Sequence, residues 1–214
     1  MSADKPKAPT IKVAENGPYI VNGISTLRNS RGELQETKRT MALCRCGGSA
    51  SKPFCDGTHA KNGFSGDCAR TSAGAYDAYA GESLEILDNR AICSHAGYCT
   101  DGLPDVFRMD SEPWIDPDGA DAERIMEIVH TCPSGALRYR RGGEPGAEPE
   151  RELGVRVSRN GPYQITGGPP LEGQAPAAAP PVRDRFALCR CGASKNKPFC
   201  DGSHWDAGFA DPDN

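Results

Sequence analysis

One sixteen-residue stretch limits this chain more than any other: Cys189-Arg190-Cys191-Gly192-Ala193-Ser194-Lys195-Asn196-Lys197-Pro198-Phe199-Cys200-Asp201-Gly202-Ser203-His204. It gathers three cysteines and one histidine between glycines and a proline, and it occurs twice. The other copy runs Cys44-Arg45-Cys46-Gly47-Gly48-Ser49-Ala50-Ser51-Lys52-Pro53-Phe54-Cys55-Asp56-Gly57-Thr58-His59. Both have the spacing C-x-C-x8-C-x3-H, and both keep Lys-Pro-Phe-Cys-Asp-Gly. Unrelated loops would not agree to this degree. Any fold must therefore present two equivalent, turn-rich loops carrying soft ligands.

The repeat extends upstream. Ile11-Lys12-Val13 and Asn16-Gly17-Pro18-Tyr19 return as Val155-Arg156-Val157 and Asn160-Gly161-Pro162-Tyr163. The offset is 144 at the turns and 145 at the cysteines, so one residue has been inserted. Residues 11–40 read as a β meander, with Asn22-Gly23 and Asn29-Ser30-Arg31-Gly32 as turns and Ile24 to Leu27 as a strand. The pattern predicts one domain over 11–66 and its duplicate over 154–210. Ala-, Gly- and Ser-rich residues 65–82 and Gly- and Pro-rich residues 141–153 read as linkers, and 169–181 as a flexible insertion. Between the linkers lies a third module, 83–140. It has a strand at Leu84 to Leu87, cysteines at 93 and 99, and a helix over Glu123 to His130 with Asp121 as N-cap. Cys132-Pro133 and a closing strand at Leu137 to Tyr139 complete it. The expected fold class is α+β: two small β-rich domains around a small α+β insert.

Only 37% of the 214 residues are hydrophobic, against 25 glycines and 18 prolines, so units this small need support beyond apolar burial. Bound metal is the natural candidate, since site formation and folding share their free energy. The formal charge of −4 and the absence of a basic stripe argue against nucleic acid as a partner. Met1 to Thr10 lacks an apolar signal segment, and no apolar run approaches the roughly 18 residues of a membrane span. A cytoplasmic location, without membrane contact, is the expectation. In that reducing compartment ten cysteines at ligand-like spacing read as metal ligands rather than disulfides.

Thiolates and imidazole suit zinc and iron–sulfur clusters and suit calcium or magnesium poorly. Asp56 as a cap places His59 one turn after Cys55, so both reach one face; Asp201 does the same for Cys200 and His204. Ligand chemistry alone leaves two readings open, an iron–sulfur protein and a zinc-stabilised interaction module. The full motif, C-x-C-x2-S/T-x3-P-x-C-D-G-S/T-H, resembles the signature of the CDGSH, or NEET, iron–sulfur family, and both copies meet every fixed position. The resemblance implies a [2Fe-2S] cluster in each copy. One iron would be held by Cys44 and Cys46 and the other by Cys55 and His59; Cys189 with Cys191, and Cys200 with His204, would repeat this. A neutral imidazole in place of one thiolate should raise the potential and make the cluster labile to acid.

Residues 84–140 resemble the divergent mono-cluster 4Fe-4S domain, a ferredoxin-like module, through Cys93, Cys99, Leu103-Pro104-Asp105-Val106-Phe107 and Cys132-Pro133-Ser134-Gly135-Ala136-Leu137. Ala96 stands where such domains carry a further cysteine. The resemblance thus implies a [3Fe-4S] cluster on Cys93, Cys99 and Cys132, or a [4Fe-4S] cluster completed by His95. Cys68 has no counterpart in the second copy and reads as a free thiol. His130 reads as a helix-end residue, Trp114 and Trp205 as packing aromatics, and Lys52 and Lys197 as surface lysines. No triad, carboxylate pair or phosphate loop supports catalysis, so a non-enzymatic role is expected: electron transfer, or cluster storage and delivery. The partner would be a redox protein or an apo-acceptor of clusters. Family members dimerise around a shared strand cap, and two copies in one chain imply an internal pseudo-twofold monomer.

Overall fold

The computed structural model describes residues 8–71, 74–173, 184–212 and 214. The first copy forms strands β1 (Thr10–Val13), β2 (Tyr19–Asn22), β3 (Leu27–Arg28) and β4 (Thr40–Leu43). The middle of the chain forms β5 (Asp77–Ala80), β6 (Glu85–Asp88), helices α1 (Tyr98–Gly102) and α2 (Ala122–Thr131), β7 (Leu137–Arg141) and β8 (Glu144–Pro145). The second copy follows as β9 (Gly154–Val157), β10 (Tyr163–Thr166), β11 (Leu171–Gly173) and β12 (Arg185–Leu188). Small sheets dominate and helices are few, as an α+β chain of this composition requires.

The meander does not close within each copy. β3, expected to pair with its neighbours, lies parallel to β9 of the second copy, with Leu27 opposite Val155. In return β11 lies parallel to β1, with Leu171 opposite Ile11. The exchange is reciprocal, because Leu27 and Leu171 are 144 residues apart, as are Ile11 and Val155. The resulting sheets run β11-β1-β2-β4 and β12-β10-β9-β3. Each copy thus completes the other's sheet edge, which would otherwise present an unpaired ladder.

Alternation along these strands sends every second side chain to one face. Ile11, Val13, Tyr19, Val21, Met41 and Leu43 meet Val155, Val157, Tyr163, Ile165, Phe186 and Leu188 in one continuous core. At its centre the Tyr19 and Tyr163 rings make an edge-to-face pair, 6.0 Å between centroids and 89° between planes. Such a pair adds about 0.5–1.5 kcal/mol beyond the area buried. Four-residue strands bury too little to stand alone; sharing one core answers that shortage.

The middle module has its own sheet, β5-β6-β7-β8, and its own core of Leu84, Ile86, Ile92, Val106, Phe107, Ile115, Ile125, Val129 and Leu137. Two segments read as linkers contribute to it. β5 lies within 65–82 and β8 within 141–153, where Tyr79 and paired backbone recruit them onto β6 and β7. Helix α2 begins where expected, after Asp121, although the Asp121 side chain makes no capping bond. The insertion at 169–181 contributes β11, and its residues 174–181 lie outside the described residues.

The module lies against the second copy. In β4 the outward-facing Thr40 is exposed and Ala42 half-buried, whereas their equivalents in β12, Arg185 and Ala187, are fully buried. Arg185 Nε donates to the Cys132 carbonyl at 2.7 Å, and its guanidinium pairs with Glu148 and Asp184. No helix among the described residues is long and apolar enough to cross a membrane.

Candidate metal centres

In each copy the last core strand delivers the first cysteine, so Cys44 and Cys189 are buried at the end of β4 and β12. The loop then folds back, and the segment before the third cysteine bridges to the same strand, Leu43 to Phe54 and Leu188 to Phe199. The motif's fixed residues hold that loop. Ser49 Oγ donates to the Phe54 carbonyl at 2.7 Å, and Ser194 Oγ to that of Phe199 at 2.6 Å. The Asp56 carboxylate accepts from the amides of Ala50 and Thr58 at 2.8 and 3.0 Å, and Asp201 from those of Lys195 and Ser203 at 2.9 and 3.1 Å. The Thr58 hydroxyl and amide and the Ala50 amide hold the Asp56 carboxyl well below the usual carboxylate range. Asp56 thus caps the 3-10 turn at Thr58–Ala60 from one residue before its formal cap, Gly57.

The four expected residues of each copy fall into two pairs. Cys44 Sγ and Cys46 Sγ are 3.8 Å apart, as are Cys189 Sγ and Cys191 Sγ. Cys55 Sγ lies 3.3 Å from His59 Nδ1, and Cys200 Sγ 3.6 Å from His204 Nδ1. Among the described residues no three His, Cys, Asp or Glu side chains converge on a point that one metal ion could occupy. A donor set split into a dithiol pair and a thiol–imidazole pair fits a binuclear group better than one tetrahedral ion, which needs four convergent ligands. Backbone amides also point at the sulfurs: Gly48 to Cys46 and Gly57 to Cys55 at 3.4 Å, Ala193 to Cys191 at 3.4 Å and Gly202 to Cys200 at 3.5 Å. Such bonds favour the anionic form of sulfur.

Burial opposes it. Desolvation lifts the Cys44 and Cys200 thiols above their ordinary value, while Cys189 is lifted first by its hydrogen bond to Cys191 and then by burial. The same bond lowers Cys191 to about 7. Full deprotonation of these sulfurs calls for a nearby positive charge, which a bound metal supplies.

The two loops touch one another. A Cβ on Gly47, where φ is +75°, would stand 2.6 Å from the Cys191 carbonyl oxygen, and one on Gly192, φ +82°, would stand 2.9 Å from that of Cys46. Each tyrosine of the core reaches across to the other copy's loop. The Tyr19 hydroxyl lies 2.9 Å from the carbonyls of Cys189 and Pro198, and that of Tyr163 lies 2.9 Å from those of Cys44 and Pro53. Sequence reasoning assigned these tyrosines only to strands; their place after Asn-Gly-Pro in both copies was the available signal.

Cys93, Cys99 and Cys132 line one cavity of about 410 Å³ in the middle module, with His95, Ala96, Trp114 and Trp205 also on its wall. That volume falls within the roughly 300–1,000 Å³ of cofactor and ligand sites. The His95 amide donates to Cys93 Sγ and the Leu137 amide to Cys132 Sγ, both at 3.4 Å. Burial pushes the Cys93 thiol up to about 12 and raises Cys99 as well. Arg90 brings a positive charge to this wall; its Nη1 lies 3.9 Å from Cys93 Sγ, and its guanidinium stacks 3.8 Å from the Trp114 centroid. Cys68 lies apart, with Sγ 3.6 Å from the carbonyls of Arg70 and Lys195. A His130 ring nitrogen lies 3.0 Å from the Ala147 carbonyl, and Lys52 Nζ donates to the Ser49 carbonyl at 2.6 Å.

Comparison with known proteins agrees with this layout. The family model for the iron-binding zinc finger of CDGSH type matches residues 16–60 and again 160–205, and the model for the divergent 4Fe-4S mono-cluster domain matches 79–142. The chain belongs to the CDGSH family. It is an iron–sulfur protein in which two CDGSH domains flank a divergent 4Fe-4S mono-cluster domain. It is also similar to the uncharacterized protein YjdI of Escherichia coli K12 and of E. coli O157:H7. Each is 43% identical over 67 residues, covering 31% of this chain and 88% of the relative. No solved structure matches it.

Proposed function

We propose that the chain is a three-cluster electron-transfer protein. Each CDGSH domain would hold a [2Fe-2S] cluster, through Cys44, Cys46, Cys55 and His59 in the first and Cys189, Cys191, Cys200 and His204 in the second. The mono-cluster domain would hold a [3Fe-4S] cluster through Cys93, Cys99 and Cys132, or a [4Fe-4S] cluster with His95 added. The observation that supports this reading best is the division of each CDGSH donor set into two pairs, with sulfur-directed amides around them. When bound, the clusters supply one-electron chemistry. The protein's part is to hold the ligands in fixed loops, exclude water from the buried cysteines and set the potential through N–H···S bonds and charge.

Fixed loops favour electron transfer over cluster delivery. Both ligand loops are tied by serine and aspartate, buttressed by a tyrosine from the opposite copy and packed on each other, so releasing a cluster means disturbing the common core. The shared core and exchanged strands support an internal pseudo-twofold arrangement within a monomer; the external partner in this reading is a redox protein. Iron and acid-labile sulfide measured per chain, with a visible spectrum, test the reading. Two [2Fe-2S] clusters and a third cluster are expected. Colourless protein holding zinc without iron would establish the zinc-stabilised interaction module instead, and fast cluster transfer to an apo-acceptor would favour delivery.

A further inference from the structure

The two CDGSH motifs differ in what they meet. A Cβ on Gly57, φ +87°, would find none of the described residues within 4 Å. Its equivalent Gly202, φ +86°, lies against the His95 ring, where a Cβ would come within 2.9 Å of Cγ and Nδ1. The residue after the motif histidine differs as well: Ala60 in the first copy and Trp205 in the second. Trp205 Nε1 donates to the His95 carbonyl at 3.2 Å, and its ring lies 5.6 Å from that of His204. Trp205 also lines the cavity of Cys93, Cys99 and Cys132, while His95 lines both that cavity and an adjoining cleft that His204 shares. The contact is reinforced on both sides, by Arg185 on the Cys132 carbonyl and by Gln164, whose amide donates to the Tyr98 hydroxyl at 3.2 Å. His204 is accordingly buried, while His59 stays partly open.

We infer that His95 and Trp205 form a bridge coupling the middle site to the second CDGSH site alone, so that these two sites make the electron-exchanging pair and the first CDGSH site is reached only through the second. The inference rests on the iron–sulfur reading of the three sites, and within it on the [3Fe-4S] form of the middle cluster, held by Cys93, Cys99 and Cys132 with His95 outside the ligand set. The exchange balances by itself: one electron leaves one site and enters the other, and no bond, proton or further reactant is involved. His95, backed by Gly202 and fixed through its own carbonyl by Trp205, is a positioning residue that closes the gap between the sites. The order then follows from contact: middle cavity, His95 and Trp205, Cys200–His204, and through the touching Gly192 and Gly47 loops to the first site.

The test uses the full-length holoprotein. Iron and sulfide per chain are measured first, because absence of clusters refutes the underlying reading and not the bridge. Cys55→Ala, which removes the first site, and Cys200→Ala, which removes the second, are then partly reduced and examined by electron paramagnetic resonance. The [2Fe-2S] signal left in Cys55→Ala should be broadened by the spin of the middle site, and the signal left in Cys200→Ala should be narrow. Equal broadening in both, or broadening only in Cys200→Ala, overturns the pairing. Next, the redistribution of an electron from a photogenerated viologen radical is timed in wild type, His95→Ala, Trp205→Phe and the control Cys68→Ser, which lies outside all three donor sets. The bridge variants should keep their iron and slow equilibration by about tenfold or more, with the control unchanged. Unaltered rates in both bridge variants refute the bridge; loss of iron from the middle site in His95→Ala shows His95 to be a ligand and refutes it equally.

Discussion

Replacing Gly47 by alanine should damage both CDGSH sites, although it alters only one. Two costs combine at this position. With φ at +75° an alanine adopts a left-handed conformation, at about 1–2 kcal/mol. Its Cβ would also stand 2.6 Å from the Cys191 carbonyl oxygen, where ordinary contact begins near 3.4 Å. Backbone must therefore move, and overpacking of this kind costs a further ~1–3 kcal/mol. Gly57→Ala isolates the first cost, since φ there is +87° and none of the described residues stands within 4 Å. In a chain of this size ~1 kcal/mol corresponds to about 2–4 °C in melting temperature. Melting of the as-purified proteins should thus fall modestly for Gly57→Ala and clearly further for Gly47→Ala. Iron quantification should show loss from the second site as well as the first in Gly47→Ala, because the displaced carbonyl belongs to Cys191. If Gly47→Ala melts no lower than Gly57→Ala, or loses iron from the first site alone, the contact between the loops does not exist in solution.

Three further outcomes follow from other contacts. Asp211→Ala leaves the buried guanidinium of Arg190, the residue that separates Cys189 from Cys191 in the chain, without its carboxylate partner; breaking a pair of this kind costs about 3–5 kcal/mol, and urea unfolding should show a drop of that order. Tyr163→Phe removes the hydroxyl from the buried carbonyls of Cys44 and Pro53, and a loss of about 1–3 kcal/mol should appear together with faster bleaching of the first site, not the second. Cys68→Ser, outside all three donor sets, should leave iron content and the visible spectrum as in wild type; any loss of iron would make Cys68 a ligand.

Much of the site was legible in the sequence because its chemistry is local. A sixteen-residue motif carries its own ligands, and its Ser, Asp and Gly each bond or turn within six residues of where they stand, so spacing alone brings Cys55 to His59. The strand alternation of Ile11, Val13, Tyr19 and Val21 was equally readable, since a period of two needs no partner to be seen. The partner of each strand was not. β3 joins β9 rather than β2 or β4 of its own copy, and nothing in Ile24 to Leu27 distinguishes the two edges. β5 and β8 were hidden inside polar, glycine-rich segments, where pairing to β6 and β7 overrode weak local propensity. Trp205 looked like a packing residue because its partner, the His95 carbonyl, is 110 positions away.

Two equivalent loops of soft donors and a third, incomplete set are written in the chain, because ligand identity and short spacing are local properties. How the three relate depends on contacts between residues far apart in the chain. The exchange of β3 and β11 brings the two loops back to back, since neither copy's short strands can bury a core alone. The covering of β12 by the middle module then makes equivalent loops unequal: Gly202 meets an imidazole where Gly57 meets none of the described residues.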